Sequence, residues 1–264
     1  LSGFVMAYAY IDKIKKGMTF SAYAKSRFLR LYPLHFIILM MWLPLIGVKY
    51  LIYSQFSIGT DPSLTEHIQT FLSNLFLVNS LNIPTGWNVP TWSISAELVA
   101  YLVFFIEVKI LSNFKFFYIL MFAQAIFIYL FSFVNFGVFT PHTWDFGFLR
   151  SIPAFSLGLA TYAIWKKFNI GGRNIYYQEF ITAFFIVLSV TLTTLDRAFA
   201  YLAIFSFALS LLVFTNTKSG IIGKILESKL ATNAGKYSYS IYIVHMLIIT
   251  IIPDFFQHIL KLSQ

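Results

Sequence analysis

Glu97 stands in Val89-Pro90-Thr91-Trp92-Ser93-Ile94-Ser95-Ala96-Glu97, at the start of a long apolar stretch. On a helix, Ser93, Glu97 and Tyr101 recur at i, i+4 and i+8 and share one face. An ionisable group in hydrocarbon costs about 2.5–3.5 kcal/mol at a helix centre on insertion scales, so a sequence keeps few of them. A carboxyl there suits proton transfer or pairing with a cation. The plainer alternative is a carboxylate that locks helices together through an Arg or Tyr. Trp92, Ser93 and Ser95 beside it favour a polar, shaped pocket over a lone charge.

A second group is Lys25-Ser26-Arg27-Phe28-Leu29-Arg30-Leu31-Tyr32-Pro33-Leu34-His35. Arg27 and Arg30 share a face at i, i+3 and could clamp phosphate oxygens through forked hydrogen bonds. Arginines at the inner end of a span are also ordinary topology anchors. His35, a turn deeper, reads as a packing or hydrogen-bonding residue. A third group is Ser238, Tyr242 and His245, at i, i+4 and i+7 on the last apolar stretch. A membrane histidine can act as base, donor or gate, or simply pack on a neighbouring carbonyl. Arg150 lies about a turn inside its stretch, where it can line a pocket or snorkel outward. With no Cys and no His/carboxylate pair at ligand spacing, no metal site is expected. Walker and dinucleotide glycine patterns are missing as well.

The elements that must carry these residues follow from composition. The 264 residues are 58% hydrophobic and only 11% charged, far below the quarter usual for soluble domains. That excludes a disordered chain, a disulfide scaffold and an ordinary soluble enzyme. Crossing a bilayer takes about 20 apolar residues in a helix. Seven stretches qualify or nearly do: Tyr32–Tyr53, Trp92–Leu111, Phe116–Phe136, Phe146–Trp165, Phe180–Leu195, Ala198–Thr215 and Tyr237–Leu260. Leu1–Tyr10 reads as a partial span. Phe71–Ile83 is brief and carries Asn74, Asn79 and Asn82, so it reads as re-entrant or incompletely spanning. The expected fold is all-α: a polytopic helical membrane protein of seven or eight spans plus one partial N-terminal span, in a single domain over residues 1–264.

Net charge is +9, and its distribution sets orientation. If Phe71–Ile83 does not cross, fifteen Lys and Arg fall on one side and three on the other, with Arg150 inside a span. If it crosses, the asymmetry disappears. The basic loops, including Asp12–Arg30, are therefore assigned to the cytoplasmic side. The positive charge thus reads as topology, and nucleic acid is not an expected partner.

Four segments in order resemble the acyltransferase-3 family of integral membrane O-acyltransferases. Leu1-Ser2-Gly3-Phe4 is similar to its Ser-Gly-Phe signature, and Arg27-Phe28-Leu29-Arg30-Leu31-Tyr32-Pro33 to its Arg-x-x-Arg-(Leu/Ile)-x-Pro motif. Trp92-Ser93-Ile94-Ser95-Ala96-Glu97 resembles its Trp-Ser-(Leu/Ile)-Ser-x-Glu element, and Ser238-Tyr239-Ser240-Ile241-Tyr242-Ile243-Val244-His245 its closing helix. Arg150 with Phe155 and Gly158 is a weaker fifth match. The resemblance implies transfer of an acyl group, commonly acetyl from acetyl-CoA (acyl-CoA), to a sugar hydroxyl of a cell-surface polysaccharide or its lipid-linked precursor. It makes Arg27 and Arg30 donor-phosphate contacts. Glu97 and His245 become the catalytic candidates, lined by Trp92, Ser93, Ser95, Tyr101, Tyr242 and Arg150. It also implies membrane lipid as surroundings, in a bacterial inner (plasma) membrane.

Two departures accompany the resemblance. The family's first helix carries an Arg and its expected catalytic His, and Leu1 follows that helix; the chain as given is expected to be N-terminally truncated and inactive alone. The family's usual topology also requires Phe71–Ile83 to cross, against the charge count. The main rival from another class is a polysaccharide or lipid transporter or flippase, whose path also uses membrane carboxylates and histidines. A structural subunit or degenerate paralogue is a third reading.

Overall fold

The computed structural model describes residues 1–56, 64–83, 86–137, 145–168, 175–195, 200–215 and 220–258. Among these residues all regular structure is helical: α1 (Ser2–Lys15), α2 (Phe20–Phe56), α3 (Leu64–Leu75), α4 (Thr91–Leu111), α5 (Phe117–Phe136), α6 (Phe148–Phe168), α7 (Ile175–Leu195), α8 (Ala200–Phe214), α9 (Ile221–Glu227) and α10 (Lys229–His258). Each of the seven apolar stretches falls on a helix, because hydrocarbon leaves a backbone no partner outside its own ladder. Stretches within α2, α5 and α10 are long and apolar enough to cross a membrane, and α7 and α8 contain shorter apolar helices. The protein is a polytopic helical membrane protein.

Two helices start earlier than their apolar stretches suggest. Residues 20–30 belong to α2, so Arg27 and Arg30 sit about two turns inside a helix rather than in a loop at its mouth. Pro33 lies in its interior. The turn before α2 shrinks to a few residues, with Gly17 at φ 103. Likewise α10 begins at Lys229, which puts Ser238 well inside it. Charged residues do not interrupt a helix whose local sequence favours one, and the hydropathy boundary marks lipid rather than the helix end.

The chain divides into two compact units. The first holds Leu1–Phe20, Ala96–His142 and Phe148–Asn233. In it α6 packs against α1, α5 and α8, and α7 pairs with α8. The α1–α6 contact is made by glycines: a Cβ on Gly3 would collide with the carbonyl oxygen of Phe155, and one on Gly158 would lie 2.7 Å from the amide nitrogen of Phe4. Only absent side chains let these backbones approach so closely. Phe4 then sets its ring edge-on to Tyr162 and Trp165, each 5.7 Å away. Phe155 takes Tyr101 and Phe104 edge-on from α4. Gln124 on α5 donates to Glu107 on α4 at 2.7 Å. Ser206 of α8 donates to the Phe185 carbonyl of α7 at 2.8 Å.

The second unit holds Ser21–Ser95, Thr143–Gly147 and Ala234–Gln264. Its distinguishing feature is α3, whose 12 residues reach about 18 Å, short of a hydrocarbon core of about 30 Å. The helix ends inside the Phe71–Ile83 stretch, and the chain then turns through Leu77 (φ 52) and Asn82 (φ 65). The end of α3 leaves carbonyls outside the helical ladder; that of Asn74 accepts from Leu77 N–H at 3.1 Å, and α2 supplies donors to it and to its neighbour. Tyr32 Oη donates to the Leu75 carbonyl at 3.0 Å, and His35 Nε2 to the Asn74 carbonyl at 2.8 Å. Over Phe71–Ile83 the chain is thus a broken helix whose end takes hydrogen bonds from a neighbouring helix.

Candidate active site

Within the second unit, hydrogen bonds join three of the motif-bearing segments. Tyr239 of α10 donates to the Leu31 carbonyl, in the Arg27–Pro33 motif, at 2.6 Å. Tyr242, one turn on, lies 2.8 Å from Ser93 Oγ and also reaches the Pro90 carbonyl at 3.2 Å. Asn88 Nδ2 donates to the Ile243 carbonyl at 3.2 Å. The i, i+3 and i, i+4 spacing along α10 aligns Tyr239, Tyr242 and the Ile243 carbonyl with partners on two other segments.

His245 lies half-buried a turn beyond Tyr242. Its Nδ1 is 2.6 Å from the Tyr242 carbonyl. A carbonyl oxygen only accepts, so Nδ1 carries the proton and, in the neutral ring, Nε2 keeps a lone pair that can take a proton. Arg27 is half-buried and its Nε donates to Ser26 Oγ at 3.4 Å; Arg30, on the same face, is exposed. Phe28 and Tyr32 stack with ring centres 4.4 Å apart on the same helix.

Behind these residues is a polar network in which every named member is buried. Asn74 Oδ1 accepts from Thr91 Oγ1 at 2.7 Å and from Asn79 Nδ2 at 3.2 Å. Asn74 Nδ2 donates to the Thr70 carbonyl at 2.8 Å. Ser80 donates its backbone N–H to Ser95 Oγ at 3.1 Å, and the two hydroxyls lie 2.8 Å apart. Ser95, a pocket candidate from the sequence, is therefore a fully buried rivet between the Asn79–Ser80 turn and α4. Among the described residues of this unit, His35 Nδ1, Asn79 Oδ1 and Asn88 Oδ1 are among the atoms buried with no hydrogen-bond partner in the protein. Polar atoms so placed are expected to be met by ordered water.

Glu97, Tyr101 and Arg150 belong to the first unit. Tyr101 Oη donates to Glu97 Oε1 across one turn of α4, the contact that their i, i+4 spacing predicts. Glu97 is half-buried, and Arg150 is exposed in the first turn of α6. Trp92 is half-buried at the start of α4, in the second unit, and Ser238 is exposed and donates to the Gly235 carbonyl of its own helix at 2.8 Å.

Sequence reasoning did not assign partners to Thr70, Asn79, Thr91, Tyr239 or Glu179. Glu179 of α7 is 6% exposed, and its carboxylate accepts from the N–H groups of Ile221 and Ile222 at 2.8 and 2.7 Å, opening α9. Asparagines in an apolar stretch were the available signal for the network. For Glu179 nothing local distinguishes it.

The fold and these residues define a helical membrane protein whose polar side chains are gathered by its sequence motifs. The chain belongs to the acyltransferase-3 family: that family's model, described as an acyltransferase domain, matches residues 1–261. No curated protein and no solved structure matches the chain.

Proposed function

We propose that this acyltransferase moves an acyl group, acetyl in the simplest case, from a coenzyme A thioester to a sugar hydroxyl. The acceptor is a cell-surface polysaccharide or its lipid-linked precursor, and the setting is a bacterial inner membrane. The observation that supports this reading is the hydrogen-bonded union of three motif segments in one unit, through Tyr239 to Leu31 and Tyr242 to Ser93. An arrangement that only anchored helices would not need to leave a histidine lone pair available beside it.

In the proposed reaction the acceptor oxygen attacks the thioester carbonyl, a C–O bond forms and the C–S bond breaks. The hydroxyl proton passes to His245 Nε2 and then to the departing thiolate, giving ester and free thiol. Glu97, which accepts from Tyr101 within the first unit, is assigned a proton-holding role of its own. Arg27 and Arg30 take the phosphates of the donor.

Membranes from cells expressing the protein, supplied with labelled acetyl-CoA and native glycan, test this. His245→Gln should lower label incorporation by about 100-fold, the scale of a lost general base. Glu97→Gln should also lower it, and Arg30→Ala should raise the donor KM more than it lowers kcat. Incorporation indifferent to both His245→Gln and Glu97→Gln would overturn the assignment of roles. Movement of intact glycan without label transfer would favour a transporter instead.

A further inference from the structure

Away from these residues, the first unit carries an open cleft of about 880 Å³ where the last turns of α1 and α6 run side by side. Both helices end here in lysines, Lys13 and Lys15 on α1 and Lys166 and Lys167 on α6. This is the end that the charge distribution assigns to the cytoplasmic side, so the cleft sits where hydrocarbon gives way to lipid headgroups. One wall is aromatic. Tyr8 is 66% exposed, with its ring 6.0 Å from that of Trp165, and Trp165 lies 5.8 Å from the buried Tyr162.

The rest of the lining carries both signs of charge. Lys166 Nζ is 3.7 Å from Asp12 Oδ1, with both side chains more than half exposed, and it also lies 5.7 Å from the centre of the Tyr162 ring. Lys13 lies on the same rim. An exposed pair such as Lys166–Asp12 contributes little to stability, so opening it for a ligand costs little. A purely anionic ligand drawn to the lysines would meet the Asp12 carboxylate. A purely cationic one would meet the lysines. A molecule with an ammonium and a phosphate a few bonds apart satisfies both, and its ammonium gains from the ring faces.

We propose that the α1–α6 cleft binds the headgroup of a zwitterionic aminophospholipid, its ammonium on Asp12 and the Tyr8–Trp165 wall and its phosphate on Lys13 and Lys166. This site stands independently of the acyl-transfer reading. It makes one lipid a resident component of the first unit, held by its headgroup against helices whose close glycine contact lies further along.

Native mass spectrometry of the purified chain tests it, with phosphatidylethanolamine, phosphatidylglycerol and phosphatidylcholine of matched acyl chains offered together. The expected result is retention of one phosphatidylethanolamine in preference to the other two. Asp12→Asn should lower that retention by about fivefold, to the level of phosphatidylcholine, and leave phosphatidylglycerol undiminished. Lys13→Ala with Lys166→Ala should lower both phosphatidylethanolamine and phosphatidylglycerol, and the paired Lys→Arg variant should restore them. Equal retention of the three headgroups by the unmodified chain, or preference for phosphatidylglycerol, overturns the proposal without any variant. So does displacement of the lipid by soluble coenzyme A, which would mark the cleft as a site for a free phosphate ester.

Discussion

Gly3 and Gly158 in the first unit, and Gly47 and Gly235 in the second, are all helical glycines, yet they do different things. The first two lie where any Cβ would collide with a neighbouring backbone, whereas Gly47 and Gly235 have nothing within 4 Å of an added Cβ. The contrast extends to the units themselves. The first joins α1 to α6 by close backbone approach and aromatic edges. The second joins its segments by hydrogen bonds among buried Asn, Ser, Thr, Tyr and His. Lipid tails are as apolar as leucine, so helices in a bilayer cannot be held by hydrophobicity alone, and these are the two remaining means: shape and polar pairing. Shape suits a packed scaffold. Polar pairing suits a unit that must support a broken helix.

The sharpest way to break the comparison is Gly3→Ala. It should destabilise the protein by about 3 kcal/mol, at the upper end of overpacking costs, since the Phe155 backbone cannot yield as a side chain would. Unfolding in mixed micelles measures it, and a loss below about 0.5 kcal/mol would mean that α1 and α6 do not meet through these glycines. Next in size is Asn74→Leu, which fills the space but strips Asn79 and Thr91 of a shared acceptor. Three buried hydrogen bonds are lost together, although Asn79 keeps Thr91 Oγ1 and Thr91 keeps the Asn88 carbonyl, and a cost of about 2 kcal/mol is expected. Thr91→Val should cost less, because valine matches threonine in shape and Asn74 stays bonded to Asn79 and to the Thr70 carbonyl. If the two variants prove equally mild, the network does not hold the second unit.

Glu179→Ala comes third. It removes the acceptor for the opening N–H groups of α9, at about 1 kcal/mol on the scale of a lost cap. Hydrogen exchange should speed up at Ile221 and Ile222 before it changes in α1 or α6. The smallest effect has the opposite sign. Gly235→Ala should stabilise α10 by about 0.5–1 kcal/mol, through lower conformational freedom in the unfolded chain. A destabilisation there would show that an unseen neighbour uses this glycine as Gly3 and Gly158 are used.

Much of the fold was legible because lipid imposes a severe rule. Only long apolar helices satisfy their backbones in hydrocarbon, so hydropathy located all seven stretches. The same rule made Glu97 and His245 conspicuous, since apolar surroundings leave few reasons to keep them. The Tyr101–Glu97 contact also follows from spacing alone, because both partners lie on one helix. Helix starts were less legible. Residues 20–30 are helical yet too charged for hydropathy to include, so the start of α2 was misplaced and Arg27 and Arg30 were set in a loop.

What the sequence determined by itself, then, was membrane residence, helical class and the motifs that place the chain in its family, all properties of local composition and spacing. Tertiary structure alone decided that His35 reaches the Asn74 carbonyl at the end of α3, that Ser95 pairs with Ser80, and that Glu179 opens α9. Each of these depends on which residue a distant segment brings opposite. A hydrogen bond needs its partner within about 3 Å, and no local pattern states what will be there once the helices have packed.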